Sequence, residues 1–136
     1  MKKMFLNLIV IVSLCLGTTV TFAKCEKGTE ITGTINNHKY CKSNITVNWW
    51  TAFAWCKYQG RELATLEQAC PNWQDAGGST LFCNNLKNAF ENSYIWTANP
   101  SQSDYAYIVS SSGNISFQPS DLTRRYNSWA SYALCY

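Results

Sequence analysis

Histidine is nearly missing from this chain: His38 is the only one in 136 residues. Hydrolytic triads need a base held against a nucleophile, and His38 lies beside Asn36 and Asn37 in a turn-forming stretch with no evident partner, so it reads as a turn residue. Charge is also scarce, with 14% of residues Asp, Glu, Lys or Arg. The acids Glu62, Glu67, Asp75, Glu91, Asp104 and Asp121 are scattered, and none pairs at a glycosidase-like spacing. The formal net charge is +3, and two of those charges are Lys2 and Lys3. So weak a balance gives no case for nucleic acid or an anionic membrane as partner. Internal repeats, heptads and domain linkers are absent as well, which leaves one domain with a single core.

The longest apolar stretch, Met4 to about Leu16, is too short for a membrane span. It follows Lys2 and Lys3 and precedes the small residues of Thr21-Phe22-Ala23, so residues 1–23 read as a signal peptide and 24–136 as the domain. Cys15 falls inside this leader, and Leu14 before it fits a lipoprotein cleavage site poorly. The other six cysteines are Cys25, Cys41, Cys56, Cys70, Cys83 and Cys135. An even count in a small exported chain reads as a disulfide framework in an oxidising compartment, with 15 pairings open to six cysteines. The expected location is secreted, periplasmic or cell-surface. With every thiol given a disulfide partner, no free nucleophile is left.

The richest segment runs from Val47 to Leu66. Trp49, Ala52, Phe53 and Cys56 fall at i, i+3, i+4 and i+7, the spacing of a core-facing helical stripe. Asn48 suits the N-cap and Gly60 the position just past the end. Upstream, Ile31–Ile35 and Lys39–Cys41 flank Asn36-Asn37-His38 and predict a β-hairpin. Downstream, Thr65 with Gln68 predicts a capped second helix that Pro71 stops. Leu86–Phe90 reads as one helical turn. Strands are expected at Ser93–Thr97, Asp104–Ser110, from Ile115, at Arg124–Tyr126 and over Ser131–Tyr136, with a turn at Ser111–Asn114. Trp49, Phe53, Trp96 and Leu134 are assigned to the core.

The pattern W-x-x-A-x-x-x-C-x-x-x-G-x-x-L-A, carried by Trp49, Ala52, Cys56, Gly60, Leu63 and Ala64, resembles the first-helix signature of the C-type lectin-like superfamily. The resemblance implies an α+β fold, two helices packed on antiparallel sheets and stapled by disulfides. It implies Cys56 with Cys135 as the long closing bridge, and with it Cys25 with Cys41 in the hairpin and Cys70 with Cys83 after the second helix. Ser93–Thr97 sits where the family has its central strand, with Ala98 in place of a glycine. Val47-Asn48-Trp49, Cys56 and Gly60-Arg61-x-Leu63 also resemble the formylglycine-generating-enzyme branch of this fold. The redox-active cysteine motif of that branch is missing, so the kinship supports the fold and not the reaction.

C-type lectins hold calcium through an E-P-N or Q-P-D triplet and a later W-N-D triplet, and calcium takes six to eight oxygen ligands. In Gln118-Pro119-Ser120-Asp121 the serine breaks the first triplet, and Asn127-Ser128-Trp129-Ala130 ends without a carboxylate. Gln118–Asp121 reads as a polar turn between strands, and the chain as a compact member without the family's calcium site, with no metal and no cofactor.

Trp50, Trp55, Tyr58, Trp73, Trp96, Tyr105, Tyr107, Tyr126, Trp129 and Tyr132 exceed what one small core can bury. Such side chains pair a flat apolar face with a polar handle, which suits sugar rings and protein hot spots. Tyr105, Tyr107, Arg125, Tyr126, Asn127 and Trp129 are the candidate contact residues. Asn44-Ile45-Thr46 and Asn114-Ile115-Ser116 are glycosylation sequons, incidental beside a bacterial-looking leader.

The sequence therefore reads as an exported, calcium-independent, non-enzymatic binding module. Its partner would be a glycan or a surface protein, with no nucleic acid and no membrane span in the mature chain. The alternative is a structural subunit or cap of a surface appendage or adhesin assembly.

Overall fold

A computed structural model describes residues 25–71, 73, 82–102, 104–119 and 130–136. Helix α1 (Trp49–Tyr58) starts where Asn48 accepts a hydrogen bond from the Thr51 N–H at 2.8 Å. It ends in a Schellman motif: the Arg61 N–H donates to the Cys56 carbonyl and the Gly60 N–H to the Lys57 carbonyl, both at 3.0 Å. Gly60 takes φ +68°, a left-handed conformation that costs a glycine little. Helix α2 (Leu66–Ala69) carries the capping box anticipated at Thr65 and Gln68.

The described residues form six strands: β1 (Gly28–Thr32), β2 (Lys39–Val47), β3 (Tyr94–Gln102), β4 (Tyr105–Ser110), β5 (Ile115–Pro119) and β6 (Ser131–Cys135). They form one sheet in the order β1-β2-β6-β3-β4-β5. The expectation of antiparallel sheets is corrected at one place, because β6 runs parallel to β3. The last strand does not extend the β3-β4-β5 meander at its free edge. It returns to the other side of β3, antiparallel to β2, and joins the two halves of the sheet.

Beyond Trp96 and Ala133, the pairing of β3 with β6 gives way to Leu63 and Ala64. The Ala64 N–H donates to the Leu134 carbonyl and the Ala98 N–H to the Ala64 carbonyl, both at 2.8 Å. Leu63 also bridges Cys135. The stretch after α1 is thus a wedge between the two parallel strands, which seats both motif residues with almost no exposed surface.

The alternation of side chains along the strands gives the sheet two apolar faces. Against one face pack Ala52 and Cys56 of α1 with Trp96, Ile108 and Ala133. Against the other pack Leu66 and Ala69 of α2 with Leu86, Phe90, Ile95, Val109 and Leu134. Trp96 and Leu134 are buried as expected, whereas Trp49 and Phe53 are only partly buried. Their rings instead stack on each other at 5.8 Å, with Trp50 edge-on to Trp49 at 4.8 Å, and form an aromatic rim at the start of the helix.

The three disulfides join Cys25 to Cys41, Cys56 to Cys135 and Cys70 to Cys83, with Cα separations of 5.3, 5.3 and 5.1 Å. This number of bridges in so small a domain points to an oxidising location, extracellular or periplasmic. Leu86–Phe90 is a series of turns and not the helical turn expected, with Asn88 at φ +60° breaking any helical path. Gln118 and Pro119 close β5 instead of opening a turn. Arg124–Tyr126, Ser120 and Asp121 lie outside the described residues, as do residues 1–23. No helix among the described residues is long and apolar enough to cross a membrane.

Candidate functional site

The candidate residues from the sequence divide sharply. Tyr105 and Tyr107 stand two apart on β4 and share a face of the strand, both part-buried. Tyr107 packs against the α2-side core, its ring 6.4 Å from that of Trp73. Its carbonyl accepts from the Thr97 hydroxyl at 3.0 Å. Arg125, Tyr126, Asn127 and Trp129 lie outside the described residues, so the structure brings together only the two tyrosines.

A different site emerges where β3 and β6 begin and β4 ends. A cleft of about 650 Å³ is bordered by Asn88 to Ser93, by Ser111 and by Tyr132. Its walls are fixed by the backbone. The Asn88 N–H donates to the Ser111 carbonyl at 2.9 Å, and the Ser111 N–H donates to the Ser93 carbonyl at 3.0 Å. The Ser93 hydroxyl donates to the Glu91 carbonyl, which closes the bend. Asparagine tolerates the left-handed backbone of Asn88 better than most residues, and there it turns the chain around the rim.

Beneath the cleft, Tyr132 pairs with Ile95 across the parallel strands. The Lys42 ammonium sits 3.7 Å from the centroid of the Tyr132 ring and donates to the Ser43 carbonyl at 3.0 Å. Its partial burial lowers the Lys42 pKa. Lys42 reaches this position because β2 and β6 change register between Lys42 and Thr46. The Ser43 hydroxyl serves the irregularity, accepting from the Ala133 N–H at 2.9 Å and donating to the Ile45 carbonyl at 2.8 Å. A second recess of about 220 Å³ shares Asn92, Ser93 and Ser111 and runs on to Tyr94 and Ser112.

Of these residues, sequence reasoning weighed Tyr132 as a surplus aromatic and Glu91 as a scattered acid, and missed the rest. The available signal was the asparagine density of Asn84, Asn85, Asn88 and Asn92. One of them is structural: Asn85 is fully buried, and its Nδ2 donates to the Tyr40 hydroxyl and the Ala69 carbonyl at 3.2 and 2.7 Å. Its Oδ1 accepts from the Ile35 N–H at 2.9 Å.

Aromatic side chains gather at two other places on the fold. On the outward side of α1, Trp50 is 47% and Tyr58 72% exposed, eight residues and about two turns apart. At the end of the hairpin, the His38 ring stacks on Tyr136 at 3.9 Å and meets Tyr40 edge-on at 4.9 Å. Burial first and the Arg61 charge second lower the His38 pKa. His38 is therefore a packed turn residue whose imidazole resists protonation. Among the described residues, no three His, Cys, Asp or Glu side chains form a metal-binding group. A scan against protein-family models and a search of curated proteins give no match to the chain.

Proposed function

We propose that this protein is an exported C-type lectin-like binding module that recognises an extracellular or cell-surface ligand, a glycan or a protein, without calcium and without catalysis. The observation that carries the reading is the set of tasks given to the six motif residues. Ala52 and Cys56 are the buried contacts of α1 with the sheet, and Cys56 is bonded to Cys135. Gly60 ends the helix, and Leu63 and Ala64 form the wedge between β3 and β6. Trp49 spans to β3, its indole N–H donating to the Thr97 carbonyl at 2.8 Å. The motif is thus used as a unit, and the resemblance rests on positions with work to do. The polar cleft between loop and sheet gives such a frame a concave surface for a ligand.

The test is a binding screen of the oxidised protein on a glycan array and a panel of extracellular proteins, in calcium and again in EDTA. Saturable binding that survives EDTA is expected. A blank screen on both arms would sink the reading.

The second reading, a subunit or cap of a surface assembly, is favoured by one observation. The outward side of α1 carries Trp50 and Tyr58, and Ile45 of β2 is 69% exposed. A helix apolar on its outer side commonly meets another surface. Sedimentation that shows concentration-dependent association, lost in Trp50→Ser, would favour assembly over ligand recognition.

A further inference from the structure

We infer that the cleft bordered by Asn88–Ser93, Ser111 and Tyr132 is the ligand site and that its ligand is a neutral, linear saccharide. The inference rests on the binding-module reading above and assigns it a place and a chemistry. The side chains of Asn88, Glu91, Asn92 and Ser111, together with the Tyr132 hydroxyl, make no hydrogen bond among the described residues. The fold holds the backbone of this rim through the Asn88–Ser111 and Ser111–Ser93 bonds, and of its polar side chains only the Ser93 hydroxyl is engaged, on the Glu91 carbonyl. The others border one cleft, so they are available together to whatever enters it.

The chemistry of the lining selects among ligands. An amide offers two N–H donors and a carbonyl acceptor, and a serine or tyrosine hydroxyl offers both roles. Adjacent hydroxyls on a sugar ring present the same alternation of donor and acceptor. Among the described residues, no lysine or arginine borders the cleft, and the one charged border residue is Glu91. A sulfated, phosphorylated or sialylated group would face the Glu91 carboxylate, while the Lys42 ammonium is already held against the Tyr132 ring and the Ser43 carbonyl. A lipid tail or an apolar peptide anchor would strand the amides without partners.

Tyr132 adds an aromatic body with a polar handle to the cleft border, while Lys42 takes one face of its ring. A volume of about 650 Å³ lies within the ordinary range of small-molecule sites. The adjoining recess extends the lining of hydroxyls through Ser112 to Tyr94, a residue 50% exposed. That continuation favours a chain of sugars over a single ring.

The test is amide-detected NMR of the oxidised protein titrated with separate probes. The neutral probes are β-1,4-linked glucose, β-1,4-linked N-acetylglucosamine and α-1,6-linked mannose oligomers, and the anionic ones a sulfated disaccharide and a sialylated trisaccharide. The expected result is saturable shifts at the Asn88 and Asn92 side-chain amides and the Ser93 and Ser111 backbone amides with at least one neutral probe. Asn92→Ala combined with Ser111→Ala should weaken that binding at least tenfold at an unchanged melting temperature. Preference for an anionic probe overturns the neutral-ligand assignment. Binding that moves the Trp50 indole instead, or that the double variant leaves intact, overturns the site while the binding-module reading stands. No shift with any probe overturns the saccharide assignment, and the binding-module reading then depends on the protein arm of the earlier screen.

Discussion

Cys56 and Cys135 meet across the helix–sheet interface with both residues fully buried, and Cys135 is also the partner of Cys41 in the β2–β6 register. The Cys56–Cys135 bridge therefore fastens α1 to the strand that holds the two halves of the sheet together. Its sequence separation is 79 residues, against 13 for Cys70–Cys83.

Opening that bridge should cost more than opening the short one. Chain-entropy arguments give about 3 kcal/mol for a 15-residue loop and more for a loop several times longer. Cys56→Ala should therefore lower the melting temperature well beyond Cys70→Ala, with both read by calorimetry under non-reducing conditions. Equal melting temperatures would contradict the ranking.

Asn85 ties the hairpin to α2 with three side-chain hydrogen bonds. Asn85→Ala removes the amide and leaves the Ile35 N–H without that partner, while the Tyr40 hydroxyl keeps its bond to the Gln68 carbonyl. A loss of about 2–3 kcal/mol in urea unfolding is expected. A loss under 1 kcal/mol would show that water replaces the amide without cost.

The two tryptophans Trp50 and Trp96 should behave as opposites. Trp96 is 1% exposed, and its indole N–H donates to the Val47 carbonyl at 2.8 Å. Trp96→Ala should cost about 3–5 kcal/mol. Trp50→Ala, at a half-exposed position, should cost below about 1 kcal/mol in the same denaturant series.

Acid should weaken the fold through His38. Its folded-state pKa lies below the ordinary 6.5, so the unfolded chain takes up the proton first as pH falls. The stability contributed by His38 is fully present above pH 6.5 and is lost as pH falls through the folded value. His38→Gln should flatten the dependence of melting temperature on pH between 7.5 and 5. An unchanged slope would remove His38 as its source.

Local chemistry made much of the fold legible in the sequence. Asn48, Gly60, Thr65 and Gln68 act within a few residues of themselves, so their caps could be read directly. The hairpin turn at Asn36–His38 is local in the same sense. The parallel placement of β6 beside β3 was not legible, because strand direction depends on partners far apart in the chain. The half-burial of Trp49 and Phe53 was missed for a related reason: helical periodicity says which side faces inward, not how far the sheet extends beneath it. The cleft was the least legible part. Its border comes from backbone turns at Asn88 and Ser111 that juxtapose ordinary polar residues, and no motif spacing encodes that meeting. Aromatic surplus drew the candidate site toward Tyr105 and Tyr107 instead.

The wedge at Leu63–Ala64 has a consequence for the order in which the chain can be finished. During vectorial synthesis, β1–β2 and β3–β4–β5 emerge before β6, yet neither group touches the other through a strand ladder until β6 arrives. Until then the slot beside Ala64 stays open, and Cys56 waits for a cysteine 79 residues away. The protein is committed to a late, long-range closing step, and the interval before it is when scrambled thiol pairing and strand-edge aggregation compete with folding. A thiol-disulfide isomerase in an oxidising compartment would act on this waiting state.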